Sequence, residues 1–278
     1  MALAVSYLNI RNNHGSVEHY YHFLLGYLLP LCAYLADEKG GASLLLARSC
    51  GPLSRLVDEL QIPGLLLCER ESHAAYLDKA QDLGLQVIDI FGVDGRSYED
   101  DIRAPVVDWG SRYIKDRLAD TIELHRRQLK SQWPASPRLL VIERSNPDPY
   151  YFSSLTEIQG AGSSRRLIPN TAEMVAALNT AFGQIRIASL ERLGLAEQIA
   201  LFETADIVVA QHGAALANVV WARREALVFE FVNDFDKHIH FSNLSASLDI
   251  PHCRLLQEGA MAPVKVDELI AAIASAIR

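Results

Sequence analysis

The period of apolar and polar positions changes repeatedly along the chain, and each change marks an element. Residues 3–10 alternate loosely and predict a first strand, followed by the polar loop Arg11-Asn12-Asn13-His14-Gly15-Ser16. Val17–Leu31 is mostly apolar and reads as a helix whose first turns gather Glu18, His19 and His22. Strand patterns at Ser43–Ala47, Gly64–Cys68 and Leu85–Ile90 then alternate with helical ones at Pro52–Leu60 and Ser72–Leu83. That rhythm predicts a parallel sheet covered by helices. Asp94–Asp101 reads as an acidic loop, Pro105–Asp108 as a last strand and Ser111–Lys130 as a long amphipathic helix.

Ser131-Gln132-Trp133-Pro134-Ala135-Ser136-Pro137 carries two prolines within four residues and is expected to link two domains, 1–132 and 137–278. The second half restarts with a strand, Arg138–Ile142, ending in Glu143-Arg144-Ser145-Asn146-Pro147. A Gly/Ser-rich loop over 148–164 follows. Asn170, with Glu173 three residues on, fits an N-cap and capping-box pair ahead of a helix bearing Met174, Leu178 and Phe182. Ile185–Ser189 reads as a strand, and Leu195, Ile199 and Phe202 mark one apolar face of the next helix. Asp206-Ile207-Val208-Val209-Ala210 is a buried strand, and Gln211-His212-Gly213 turns the chain into a helix opened by Ala214, Ala215 and Ala217. Ala226–Val232 is another strand, with Glu230 inside it. Val266–Ile277 is an amphipathic helix expected to pack back on the N-terminal domain.

Composition narrows the class. Half of the 278 residues are apolar and 22% are charged, so the chain has ample core material. A net charge of −8 argues against a nucleic-acid partner, whose footprint should be basic. The four cysteines show no CxxC spacing and read as reduced thiols, which favours a cytoplasmic setting. No signal peptide is expected, because the N-terminus lacks a basic region and a long apolar core, and no transmembrane segment, because the longest apolar run, Phe23–Ala36, is interrupted by Gly, Pro and Tyr.

The most informative stretch is the strand, Gly turn and helix around His212. A strand end that runs through Gly into a helix leaves backbone N–H groups unbonded, and these favour an anion. In an open α/β sheet the expected occupant is a phosphate-bearing ligand. The block HGAALANVVW, preceded by EQIALFETADIVVAQ, resembles the signature of glycosyltransferase family 61. His22-Phe23-Leu24-Leu25 and Pro30-Leu31 resemble that family's N-terminal helix, although Gly26 stands where an acidic residue is usual. Arg144, Arg166 (or Arg165) and Asn170 match its arginine and asparagine positions. The resemblance covers residues 12–31 moderately and 138–232 well.

That resemblance implies an α/β protein of two facing Rossmann-like domains, GT-B-like, with the acceptor on the N-terminal side. It implies an inverting glycosyltransferase of the capsular-polysaccharide type, using a nucleotide-sugar donor and a glycan or lipid-linked glycan acceptor, cytoplasmic or peripheral at the membrane. Donor binding would fall to Arg144, Arg166, Asn170, Gln198, His212, Gly213, Ala214, Asn218 and Glu230, the last through ribose or sugar hydroxyls. Candidates for the base that takes the acceptor proton are His22 first, then Glu18 and His19. No cofactor is expected; Asp234 and Asp236 form a DxD-like pair of a kind that holds a divalent metal in some glycosyltransferases, a weak signal. Two rivals are a non-catalytic nucleotide- or sugar-binding module of the same fold and an oxidoreductase or epimerase. The absence of GxGxxG after any predicted strand counts against the second.

Overall fold

Leucine- and valine-rich runs too short for helices become buried parallel strands, because both faces of such a sheet are covered. A computed structural model of the chain describes residues 4–11, 15–37, 43–69, 73–91, 103–134, 136–158 and 162–278. Residues 12–14 of the polar loop, Ser72, the acidic stretch 94–101, Ala135 and residues 159–161 lie outside the described residues. Contacts divide the chain into one unit of Met1–Leu118 with Ser153–Ile158, and another of Ala119–Phe152 with Gln159–Arg278.

In the first unit β1 (Ala4–Arg11), β2 (Ser43–Arg48), β3 (Leu65–Cys68) and β4 (Gln86–Phe91) form a parallel sheet in the order β3-β2-β1-β4. The first predicted helix starts as α1 (Tyr20–Phe23), widens into a π-helical turn at Leu24–Leu28 and continues as α2 (Leu29–Asp37). Pro30 accounts for the widening. It has no N–H for the Gly26 carbonyl four residues back, and its ring would crowd that carbonyl in a regular helix. The helices α3 (Ser54–Asp58) and α4 (His73–Asp82) fall on their predicted segments.

The strand expected at Pro105–Asp108 is corrected. The chain forms α5 (Arg103–Arg117) and then α6 (Ala119–Gln132), parted at Leu118. Pro105 lies in the first turn of α5, where its missing N–H has no helical partner to lose, so Val106 and Val107 enter a helix. α5 packs against α2, and Gly110 permits the approach, since a Cβ there would lie 2.3 Å from the Leu29 carbonyl oxygen. Ser153–Ile158 joins this unit through Glu18, whose buried carboxylate accepts from the Thr156 hydroxyl at 3.0 Å and the Glu157 N–H at 2.7 Å. Arg48 and Ser16 hold the Glu157 carboxylate, each at 2.6 Å.

In the second unit β5 (Leu139–Ile142), β6 (Arg186–Ala188), β7 (Ile207–Gln211), β8 (Leu227–Val232) and β9 (His252–Leu256) are parallel in the order β6-β5-β7-β8-β9. Leu139, Val141, Val209, Phe229 and Phe231 face α7 (Thr171–Phe182), through Met174 and Leu178, and α10 (Val266–Ala276), through Leu269 and Ile273. α10 therefore closes the core of its own unit. α8 (Leu195–Thr204) packs against α6, which joins this unit although it precedes Pro134 and Pro137. At the N-terminal edge of the sheet, Asp206 accepts from Arg138 N at 2.7 Å and pairs with Arg223, clasping the starts of β5 and β7.

Two elements escaped the sequence pattern, β9 and α9 (His240–Ser247). β9 is an edge strand whose residues are partly exposed, and α9 is rich in Ser and Asn with few apolar positions, so neither shows a clear period. Replacing Gly110 with Ala should force α2 and α5 apart and destabilise the protein by about 1–3 kcal/mol, as overpacking of a tight contact does. Urea unfolding followed by circular dichroism reads the loss.

Candidate functional site

β5 is the first strand of the second sheet in sequence, yet it lies between β6 and β7. The connections that leave β5 and β7 therefore run to opposite sides, and it is beyond the C-terminal ends of two such strands that open α/β sheets hold ligands in a crevice. Arg144 follows β5 by two residues, and His212 follows β7 at once.

Arg144 Nη2 donates to the His212 carbonyl at 2.7 Å and Nη1 to the Gly162 carbonyl at 3.4 Å. Arg166 Nη1 reaches the same His212 carbonyl at 3.3 Å, and its Nη2 lies 3.5 Å from His238 Nε2. Two guanidiniums thus converge on a carbonyl oxygen, and none of these partners is a carboxylate. Burial first, then the Arg166 and Arg165 cations, bring the Arg144 pKa down to about 10 against the pull of Glu191. Burial and Arg165 also lower that of Arg166. Cations held out of water without a countercharge in hydrogen-bond reach favour an arriving anion, and a guanidinium fork suits phosphate or carboxylate oxygens. Arg165, the alternative to Arg166, has an exposed side chain.

Gly213 makes this seat. A Cβ there would lie 1.7 Å from Arg144 Nη2, so the demand is for space; at φ 170° the backbone is extended and any residue adopts it. The helix expected from Ala214 is a 3₁₀ helix, Ala214–Trp221, whose first bond runs from Leu216 N to Gly213 O at 2.9 Å. The N–H groups ahead of that bond are those a helix leaves for a ligand.

His212 Nδ1 lies 2.6 Å from Glu230 Oε1, and His252 Nε2 lies 3.0 Å from Glu230 Oε2. Glu230 is fully buried, and each of its oxygens is bonded by an imidazole, one of them that of His212. Burial opposes its charge, but the two histidines prevail and keep the Glu230 pKa below the usual carboxylate range. Burial lowers the His212 pKa against the pull of Glu230. The His212 ring stacks on His238 at 3.9 Å and tilts against Phe241 at 5.1 Å.

The other expected residues are placed as follows. Asn170 stands at the start of α7, but its amide bonds Val264 in both directions at 2.9 Å and makes no cap bond. One donor and one acceptor on a planar amide match a backbone C=O and N–H, which explains the preference. Gln198 donates to the Leu190 and Leu193 carbonyls at 3.2 Å, and Asn218 bonds the Ala215 carbonyl and the Trp221 indole. Both brace their own loops. Asp234 Oδ1 accepts from the Asp236 and Lys237 N–H groups at 3.1 Å, and Oδ2 pairs with Lys237, so this carboxylate closes its own turn. In the first unit His22 lies at the start of α1, its Nε2 so close to Gly15 that a Cβ there would sit 2.4 Å away. His19 tilts against His22 at 5.5 Å, and Glu18 holds Thr156 and Glu157.

Sequence reasoning missed His252 and Ser245. Register gives the signal once the strands are known. Ala210 pairs with Glu230, and Val228 with His252, so His212, Glu230 and His252 share a face. A lone His in an unrecognised edge strand carries no such mark.

A family model described as Glycosyltransferase 61 matches residues 20–229 of the chain. No curated protein matches it.

The histidines predict a pH dependence of stability. Burial first, then His212 and Arg166, bring the His238 pKa down to about 4, and burial lowers that of His212. Below the ordinary histidine value of about 6.5 the unfolded chain binds protons that the folded chain does not, so stability falls as pH falls. Urea midpoints should drop between about pH 6.5 and about pH 4, and His238→Gln should flatten that slope.

Proposed function

The chain belongs to glycosyltransferase family 61, and from that premise we propose that it moves a sugar from a nucleotide-sugar donor to a hydroxyl of a glycan or lipid-linked glycan. The observation that carries the reading is the pair of arginines on the His212 carbonyl, with hydrogen bonds to neutral groups only. A diphosphate set against Arg144, Arg166 and the N–H groups after His212 would be stabilised most as its negative charge grows on departure. Stabilisation of developing charge by fixed donors is the larger part of catalysis in such a step.

Inversion at the anomeric carbon belongs to the same reading. The acceptor oxygen attacks from the face opposite the diphosphate, and a base takes its proton. Of the sequence candidates, His22 stays first, and Glu18 falls behind His19 because its buried carboxylate already accepts two hydrogen bonds. The GT-B arrangement expected from the sequence, a role in capsular-polysaccharide-type synthesis and a cytoplasmic or membrane-peripheral setting complete the proposal. Among the described residues no helix is long and apolar enough to cross a membrane.

The test is a thermal-shift screen with UDP-, GDP- and CMP-sugars, since a ligand bound to the native state raises the midpoint. One nucleotide class should shift the wild type. Arg144→Ala and Arg166→Ala should each weaken that binding by about 10-fold or more, the loss of a charge-assisted bond of roughly 1.5–3 kcal/mol. Gly213→Ala should weaken it comparably by displacing Arg144, and a chelator should leave turnover unchanged. A shift without transfer to any acceptor would favour the non-catalytic binding module. No shift with any nucleotide would sink the reading.

A further inference from the structure

Behind His212 lies a chain of buried hydrogen bonds whose proton directions follow from valence. Glu230 is fully buried and, as a carboxylate, only accepts. The nitrogens facing it must therefore carry protons: Nδ1 of His212 at 2.6 Å and Nε2 of His252 at 3.0 Å. With its proton on Nε2, His252 presents a lone pair at Nδ1, and the Ser245 hydroxyl from α9, itself fully buried, donates to it at 2.8 Å. Three side chains besides His212 thus agree on one tautomer. It leaves the lone pair of His212 on Nε2.

The ring is fixed by more than this chain. His238 stacks on one side at 3.9 Å, and Phe241 of α9 tilts against it at 5.1 Å. The charged and titratable groups facing His212 are Glu230 from β8, Arg144 and Arg166 at its carbonyl, His238, and His240 at the start of α9. The cations oppose a second proton on the ring. A neutral imidazole with its acceptor nitrogen beside an anion seat meets a ligand that carries both an anion and a hydroxyl.

We propose that Ser245 and His252 are positioning residues that hold His212 as a neutral acceptor, its Nε2 lone pair presented to a hydroxyl of the bound substrate. This rests on the reading of the crevice as a nucleotide-sugar site. The hydroxyl belongs to the donor or to the acceptor. In the second case its proton passes to Nε2 as the oxygen bonds the anomeric carbon. The bond from that carbon to the diphosphate breaks, its electron pair leaves on phosphate, and Glu230 neutralises the imidazolium. A carboxylate behind an imidazole serves this purpose in acyl transfer as well.

The experiment uses the full chain labelled with ¹⁵N-histidine, long-range ¹H–¹⁵N correlation to read tautomers, and kinetics of His252→Leu, His252→Gln and Ser245→Ala. Wild-type His212 should show the Nδ1–H tautomer. His252→Leu should mix tautomers and lower kcat by about 10-fold or more, and shift the acid limb of the pH profile. It should leave affinity for UDP, GDP or CMP within about twofold. His252→Gln keeps an N–H for Glu230 and should recover most of the loss, while Ser245→Ala should give a smaller change of the same kind. If the variant binds the nucleotide-sugar no better than the bare nucleotide, the hydroxyl is the donor's. If donor affinity holds and only kcat falls, it is the acceptor's.

An Nε2–H tautomer in the wild type would overturn the proposal, and this holds even if a variant fails to fold. So would a folded His252→Leu with unchanged tautomer and pH profile. A wild type that binds none of the nucleotides would instead refute the site reading, and with it the substrate half of the proposal, whatever the tautomer.

Discussion

The bond from Arg144 to the His212 carbonyl fixes the end of the second sheet. It ties the segment after β5 to the segment after β7 across the divergence of the two connections. Its guanidinium occupies the space a Cβ of residue 213 would take, so the glycine and the arginine imply one another. Arg166 adds a second cation to the same oxygen. A fold seeking stability alone would neutralise such charges, as Asp206 does for Arg138 and Arg223 at the opposite edge of this sheet. One edge is a paired clasp; at the other, two cations share a neutral carbonyl oxygen.

Glu230 lies in the middle of an apolar strand, and its burial is tolerable because two imidazoles bond it. The same arrangement orients His212, which stands between the arginines at its carbonyl and Glu230 at its ring. Backbone and side chain of one residue thus face opposite charges.

Much of this was legible in the sequence. Buried parallel strands announce themselves as short apolar runs, and the strand, glycine and helical turn around His212 were readable in the same way. Arg144 and Arg166 were found through a family pattern, not through periodicity. What stayed hidden was relational. Pro105–Asp108 reads as a strand until its proline is seen in the first turn of α5, and Asn170 reads as a cap until Val264 arrives from 94 residues away. His252 gained meaning only through the register of β8 and β9.

The allotment of Ser153–Ile158 to the first unit has an evolutionary consequence. The chain passes from the first unit to the second at Leu118, returns for six residues, and leaves again. No single cut in the gene yields two complete halves. A fragment ending at Leu118 would keep Glu18 and Arg48 but surrender Thr156 and Glu157, which bond them. Recombination that exchanged either unit as a cassette at one point would carry off part of the other.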